Sequence, residues 1–168
     1  MNIKTERIDI REFTLKDLAA FQHLMADPEV MRFSLKGPLT KEEAAESFEK
    51  RILAHYQKYG FGLWALFVGE QLIGLAGLIS QTIDGIEEIE LAYRLHPDFW
   101  GKGYALEAVT AISKYAFSHL NLEHLISIID PNNHSSIKVA TRLGMAFWKR
   151  TVFHGIDVRI YRLSTSSP

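Results

Sequence analysis

The chain has 168 residues, of which 47% are hydrophobic and 23% charged, with a formal net charge of −1. This predicts one globular domain, with neither the basic surface typical of nucleic-acid binding nor the roughly 20-residue apolar run of a membrane span. The N-terminal MNIKTERIDIRE lacks the apolar region of a signal peptide, so we expect a cytoplasmic protein. Because cysteine is absent, disulfides, thiolate metal sites and a cysteine nucleophile are excluded.

The first half of the chain is expected to form a strand, two helices and a β-hairpin. RIDIREF alternates as a strand does. Thr14 and Thr40 each precede an acidic residue three positions later, which is the spacing of a capping box at a helix start. Gly60 is typical of a helix end. LWALFV and QLIGLAGLIS then read as two strands joined by a turn at Gly69.

The second half alternates strands with helices and closes with another hairpin. EEIELAYRL is a predicted strand, and a helix with apolar residues at helical spacing follows from Ala105. HLISIID is a short strand, SSIKVATRLG is a helix ending at Gly144, and a hairpin turns at Gly155. With only two βα units, the pattern indicates a mixed α/β fold rather than a doubly wound sheet. We expect one domain over 1–163 and a disordered tail over 164–168.

The helix that follows residues 100–104 has an unusual start. Ser, Thr, Asp or Asn usually accepts hydrogen bonds from the free N–H groups at a helix N-terminus. Here the sequence is Trp-Gly-Lys-Gly-Tyr, which offers no such side chain. Free N–H groups and the positive end of the helix dipole favour an anion, phosphate above all.

Three phosphate-binding patterns compete for this loop. A P-loop fails because Tyr104 follows Gly103, and a dinucleotide fingerprint fails because Leu106 occupies its third small position. A coenzyme A pyrophosphate loop agrees with the small residues of 101–105. The alternative is a plain glycine turn before a helix whose N–H groups meet water.

Several motifs together resemble one family. PDFWGKGYALEAV followed by DPNNHSSIKVATRLGM is similar to the GNAT acetyltransferases, in particular the Rim-type ribosomal-protein-alanine N-acetyltransferase branch. That branch shows Trp-Gly-Lys-Gly-Tyr-Ala, then Asp-Pro-x-Asn-x-x-Ser, then Leu-Gly-Phe. The N-terminal segment and FGLWALFVGEQLIGLAGL also resemble it, so that the resemblance covers about residues 5–163.

The resemblance implies both a fold and a cosubstrate. The fold is a twisted, mostly antiparallel sheet of six to seven strands, splayed between its fourth and fifth strands and flanked by about four helices. Acetyl-CoA lies in the splay, its pantetheine paired with the backbone of residues 93–95 and its pyrophosphate on the N–H groups of residues 100–105. The implied binding residues are Tyr93, Arg94, Leu95, Trp100, Gly101, Lys102, Gly103, Tyr104, Ala105, Asn133, Ser136 and Lys138.

Basic side chains in these motifs are candidates for contacts with coenzyme phosphates. They are Lys102, Lys138 and Arg142. Each has the alternative of a solvated surface side chain, which we favour for Arg142. The seven histidines are scattered without a zinc-binding pattern, so no metal is expected.

The implied reaction is transfer of an acetyl group from a thioester to an amine. An alkyl amine has a pKa near 10.4, so a proton must leave it before attack at neutral pH. The strand period places Glu88, Glu90 and Arg94 on one face. Glu90 corresponds to a glutamate of Rim-type relatives, and we assign it as the general base, directly or through water. The alternative is a solvent-facing glutamate in a strand.

The residues that would assist the leaving group are less defined. Asn133 and Ser136 match the family's Asn-x-x-Ser. Asn133 can hold the pantetheine amide or a water. Ser136 can hydrogen-bond the departing sulfur and supply its proton, or it can simply cap the next helix. Many GNAT enzymes carry a tyrosine general acid where this chain has Ala140, so the identity of the acid stays open.

The sequence therefore predicts an acetyl-CoA-dependent N-acetyltransferase that acts on a primary amine by direct attack on the thioester. The amine is a protein N-terminus or belongs to a small molecule. A non-catalytic acyl-CoA-binding or sensing module is one alternative, and a polyamine or antibiotic N-acetyltransferase is another. No nucleic-acid or membrane partner is expected, and a homodimer is left open.

Overall fold

The computed structural model describes residues 1–165, which form one eight-stranded sheet. Its strands lie in the order β1-β2-β3-β4-β5-β6-β8-β7. Every neighbouring pair is antiparallel except β5 and β6, which are parallel. The strands are β1 (Asn2–Lys4), β2 (Asp9–Arg11), β3 (Leu63–Val68), β4 (Gln71–Ile83), β5 (Ile86–Leu95), β6 (His124–Ile129), β7 (Ala146–Phe153) and β8 (Ile156–Ser164).

Four helical units flank the sheet. The second unit is a continuous rod in which a π-helical stretch, Phe48–Leu53, joins α2 to α3. The helices are α1 (Leu18–Ala26), α2 (Lys41–Ser47), α3 (Ala54–Tyr59), α4 (Tyr104–Ser118) and α5 (His134–Leu143).

The mixed α/β class and the four helices agree with the sequence analysis, but the strand count does not. Six to seven strands were expected, and the eighth is β1, which pairs with β2 through Ile3 and Ile10. A three-residue strand contains too few alternations to give a periodic signal. The predicted tail also begins too early. Ser164 pairs with His124 in β8, and the Thr165 N–H donates to the Glu123 carbonyl at 3.0 Å. The rest of the predicted tail, 166–168, lies outside the described residues.

The helices divide the sheet into two faces that recur below. The α4 face is covered by α4 and α5 and includes Leu91 and Leu95 of β5, which pack with Ile112 of α4. The α1 face is covered by α1 to α3, whose core packs on Leu75 of β4. Side chains alternate along β5. Odd-numbered side chains of β5 therefore lie on the α4 face, and even-numbered ones, such as Glu90, lie on the α1 face.

The sheet divides between β5 and β6. These strands share a single registered pair, Glu90 with Ile126. Beyond it, the Ser127 hydroxyl donates to the Leu91 carbonyl at 2.8 Å, and the rest of β5 has no partner in β6. This is the expected splay; the strands are the fifth and sixth here because β1 adds one to the count. We call this opening the split.

Two absences are noted for residues 1–165. No helix there is long and apolar enough to cross a membrane. Nor does that part of the chain bring three or more His, Cys, Asp or Glu side chains together as metal ligands.

Candidate functional site

The end of β5 presents an open backbone edge to the split. Hydrogen-bonded and non-hydrogen-bonded pairs alternate along an antiparallel ladder, and the His96 N–H donates to the Ile73 carbonyl of β4 at 2.8 Å. Even-numbered residues of β5 therefore direct their N–H and C=O groups to β4, and odd-numbered residues direct them toward β6. Past Glu90, β6 has moved away. The backbone groups of Tyr93 and Leu95 consequently face the split.

This register corrects one predicted contact. Arg94 is hydrogen-bonded to Leu75 of β4 through its backbone, so the prediction that the Arg94 backbone pairs with pantetheine is wrong. The Leu95 carbonyl is also engaged, because the Trp100 indole Nε1–H donates to it at 2.8 Å. Within residues 1–165, the N–H and C=O of Tyr93 and the N–H of Leu95 remain as free groups.

The loop before α4 leaves its N–H groups open, as the sequence predicts. Gly101 (φ 72°) and Gly103 (φ 84°) are both left-handed, a conformation that costs other residues about 1–2 kcal/mol. No side chain caps the helix. The first helical bond runs from the Glu107 N–H to the Gly103 carbonyl at 3.0 Å, and no described acceptor takes the N–H groups of residues 101–106. The loop therefore presents a cluster of donors at the positive end of the helix dipole.

Arg7, in the β1–β2 connection, braces this loop. Its Nη1 donates to the Lys102 carbonyl at 2.9 Å, and its guanidinium lies 4.4 Å from the centre of the Tyr104 ring. Its Nη2 lies 2.6 Å from a carboxylate oxygen of Glu107. A Cβ at Gly103 would come within 3.3 Å of that same Nη2. The sequence analysis missed Arg7, since no motif links two segments about 95 positions apart.

The basic side chains that were predicted for the coenzyme phosphates are all exposed. The Lys102 ammonium donates to the Asp98 carbonyl at 2.8 Å. Lys138 and Arg142 are exposed on α5, as we favoured for Arg142. Arg7 is a further cation that contacts the loop.

The start of α5 meets β5 across the split. Asn133 Oδ1 accepts the Ser136 N–H at 3.1 Å, so Asn133 is the cap and the alternative role of Ser136 as a cap is wrong. The Ser136 hydroxyl has no hydrogen-bond partner among the described residues. The Tyr93 hydroxyl donates to the Ser136 carbonyl at 3.3 Å, and burial raises the pKa of Tyr93 to about 12. Two protonated hydroxyl groups thus lie close together at this edge.

Glu90 lies where β5 and β6 part, on the α1 face. It is half-buried rather than solvent-facing, and burial raises the pKa of its carboxyl. Gln81 opposes that rise by donating from Nε2 to Glu90 Oε2 at 2.8 Å, as do the charge of Arg94 and the backbone of Ile128. A carboxylate with a raised pKa is suited to accept a proton near neutral pH.

Glu88, two residues earlier on the same face, is already engaged. Its carboxylate is 6% exposed and lies 2.6 Å from His124 Nε2 at the start of β6. The pair ties the two strands together on the closed side of the split. Glu90 is therefore the carboxylate of β5 that lies at the opening.

Comparison with known proteins agrees with this geometry. Residues 7–146 match the family model of the acetyltransferase (GNAT) domain. The uncharacterized N-acetyltransferase YnaD of Bacillus subtilis is 28% identical over 158 residues, which are 92% of this chain and 90% of that protein.

Solved structures share the whole architecture. An acetyltransferase from Agrobacterium tumefaciens superposes with a TM-score of 0.82 at 27% identity, covering 98% of this chain and 95% of that one. RimL, a ribosomal L7/L12 alpha-N-protein acetyltransferase solved with coenzyme A, has a TM-score of 0.81 at 18% identity, with 98% of both chains covered. The likeness to RimL is one of fold alone.

Proposed function

The chain belongs to the GNAT acetyltransferase family, and from that premise we propose that it transfers the acetyl group of acetyl-CoA to a primary amine in the split between β5 and β6. One observation carries the proposal. Glu90 lies at the opening of a split that is also bordered by free backbone groups of β5 and by the uncapped start of α4. An acid–base group, a strand edge and an anion site thus surround one opening.

The α4 face fits the cosubstrate. The N–H groups of residues 101–106 suit a pyrophosphate, and Arg7 adds positive charge beside them. The free groups of Tyr93 and Leu95 suit the amides of pantetheine, which a strand edge can pair as it would another strand. Asn133 still has its amide N–H₂ for a further contact, since only its oxygen serves the helix.

Glu90 deprotonates the attacking amine. Bound acetyl-CoA supplies an acetyl group activated as a thioester. As the amine nitrogen bonds to the acetyl carbon, Glu90 takes up the amine proton, directly or through water, and the carbon–sulfur bond breaks. Positioning and the general base both contribute, the base about 10²–10⁴-fold. The amine approaches from the α1 face, because the Glu90 carboxylate lies on that face.

We assign to the Ser136 hydroxyl a hydrogen bond to the departing sulfur, which leaves as a thiolate and takes its proton from water. This hydroxyl is free among the described residues, and the Tyr93 hydroxyl lies beside it. A tyrosine with a pKa of about 12 and a serine hydroxyl are both weaker acids than a thiol, so each contributes a hydrogen bond to the thiolate rather than a transferred proton. These two groups stabilise the leaving group where many relatives carry a tyrosine at the position of Ala140.

The acceptor is a protein N-terminal amine or a small-molecule amine. RimL acts on a protein α-amine by its printed name, which makes a protein N-terminus one candidate. The α1 face with Glu90 and Arg94 presents both signs of charge, which does not favour a polycation.

A screen of amines that follows free-thiol release from acetyl-CoA tests the proposal. We expect acetyl-CoA to raise the melting temperature, since it binds the folded state, and at least one amine to release thiol. Stabilisation by acetyl-CoA with no thiol release for any amine would indicate a binding or sensing module instead. No stabilisation at millimolar acetyl-CoA would overturn the proposal entirely.

A further inference from the structure

Arg94 is a guanidinium on the α1 face without a carboxylate partner. It shares that face with Glu90, four residues earlier in β5, and it is half-buried. Among residues 1–165 its one hydrogen-bond contact is from Nη1 to the Met25 sulfur at 4.0 Å. Among residues 1–165, no carboxylate oxygen lies within 4.0 Å of it. Burying a cation costs free energy, and the charge of Glu90 offsets only part of that cost at Arg94.

A second cation, Arg51, lies near enough to Arg94 for its charge to act on it. Arg51 lies on the π-helical stretch between α2 and α3, whose Phe48 and Ile52 pack into the core under this face. Burial lowers the pKa of Arg94, the negative charge of Glu90 opposes that shift, and the positive charge of Arg51 adds to it. Arg51 also lacks a carboxylate within 4.0 Å in the described part of the chain. Irregular turns of this kind are frequent at functional sites.

We infer that Arg94, assisted by Arg51, binds a carboxylate of the acceptor, so that the acceptor is an amine that also carries a carboxylate. The inference rests on the proposed function, since it places the amine at Glu90. Guanidinium groups bind carboxylates through two parallel hydrogen bonds, which would fix the orientation of the acceptor as well as hold it.

The geometry separates this anion site from the coenzyme site. Arg94 and Glu90 lie on the α1 face, whereas the uncapped start of α4 lies on the other face. Four residues of strand separate the two Cα atoms by about 13 Å, and long side chains shorten the gap between the functional groups. One molecule can therefore place its amine at Glu90 and its carboxylate at Arg94. Free amino acids and peptides with an acidic residue near the N-terminus are two sources of this chemistry.

The test compares acids with their uncharged amides. Glycine, β-alanine and 4-aminobutyrate, and tripeptides with Asp or Glu at the second position, are each assayed beside the matching carboxamide. We expect the KM of the best acid to be at least about tenfold below that of its amide, because only the acid can form a charge-assisted pair with Arg94. The source with the lower KM identifies free amino acid or peptide.

Variants assign the effect to the residue. Arg94→Met should raise the KM of the acid about tenfold or more and leave the KM of the amide unchanged. Arg94→Lys keeps the positive charge but loses the two parallel N–H donors of the guanidinium. Its KM for the acid should lie between those of the wild type and Arg94→Met. Arg150→Met removes an exposed arginine of β7 and should change neither. If Arg94→Met does not fold, Arg51→Met provides the same comparison with a smaller expected effect.

A binding assay separates this inference from the proposed function. Propionate, which has a carboxylate and no amine, should stabilise the wild-type protein in the presence of coenzyme A and should not stabilise Arg94→Met. If no amine is acetylated but propionate binds through Arg94, the anion site stands and the transferase proposal falls. Acetylation with equal KM for acids and amides, or an equal effect of Arg94→Met on both, would overturn the inference alone.

Discussion

The two faces of the split present different chemical groups to the opening. On the α4 face, the groups that border the opening are mainly backbone N–H groups, from residues 101–106 and from Tyr93 and Leu95. On the α1 face they are side chains, Glu90 and Arg94 above all. A backbone site depends on conformation, so changing it disturbs the fold. A side-chain site can change without doing so, which suits a family that keeps one cosubstrate and varies its acceptors.

The largest effect is expected at Glu90, the proposed proton acceptor on the α1 face. Glu90→Gln keeps the shape of the side chain but removes its basicity, so kcat should fall by about 10²-fold or more near pH 7. Coenzyme affinity, a property of the other face, should not change. The loss should shrink as pH approaches the pKa of the amine, where free amine forms unaided. A stopped-flow or steady-state pH series measures this.

Glu87→Gln is the matched control for that variant, because Glu87 is an exposed glutamate of the same strand. It should retain wild-type kcat. If Glu90→Gln instead raised KM with kcat unchanged, Glu90 would be an acceptor-binding residue rather than the base.

Glu90→Gln should lower kcat but raise the free energy of unfolding relative to the wild type. The pKa of Glu90 is raised above 4.5 in the folded protein, so the folded state binds this proton more tightly than the unfolded state does. Stability of the wild type should therefore fall as pH rises from about 4.5 through the folded pKa, by about 1.4 kcal/mol per pH unit at most. Glu90→Gln has no carboxyl to titrate at this position. Its free energy of unfolding, measured by urea titration, should therefore rise relative to that of the wild type over the same pH range. A difference that does not vary with pH would contradict the raised pKa.

On the α4 face, Gly103→Val tests the backbone site. A side chain at φ 84° is strained, and its Cβ would press on Arg7. We expect coenzyme A affinity to fall about tenfold, or 1.4 kcal/mol, by calorimetry. Gly155→Val introduces the same strain at φ 78° in the β7–β8 turn. Should both variants lose stability equally and neither lose affinity, the glycine loop would be only a turn.

The smallest effect is expected at Arg7, which supports the backbone site without forming it. Arg7→Met removes a brace from the Lys102 carbonyl and a positive charge from the loop. A helix-terminus interaction of this size is about 0.3–1 kcal/mol, so coenzyme affinity should weaken about two- to fivefold. Added salt should reduce the difference between the two proteins. Unchanged affinity at low ionic strength would limit Arg7 to a structural role.

Local rules predicted much of the fold. The capping box at Thr40 is present, with Glu43 N–H to Thr40 Oγ1 at 3.2 Å, and Gly60 ends α3 in the left-handed conformation. Both features depend on residues three or four apart. The strand β1 and the π-helical stretch were missed because each is short and is stabilised by distant segments.

The residues of the site also divide into those that local sequence predicts and those that only the tertiary fold brings together. The uncapped glycine loop followed from its own composition, and Glu90 from the strand period together with the family resemblance. The predicted contact between the Arg94 backbone and pantetheine does not agree with the register of β5, although the sequence held a signal for that register. Asp84-Gly85 is typical of a two-residue hairpin turn, which makes Ile83 and Ile86 a hydrogen-bonded pair and so directs even-numbered residues of β5 to β4. Arg7 and Arg51 had no such signal, because only the tertiary fold brings them to the site.

The single registered pair between β5 and β6 has a consequence for how the molecule holds together. β4 and β5 share ten registered pairs, whereas β5 and β6 share one, at Glu90. The backbone pairing between neighbouring strands is therefore weakest between β5 and β6. Strands before and after this seam are expected to open as two cooperative units in amide hydrogen exchange, with the Tyr93 and Leu95 amides exchanging fast. A ligand that spans the split would supply hydrogen bonds in place of those missing between β5 and β6. Binding the cosubstrate would then join the two units into one, and slow exchange on both sides of the seam together.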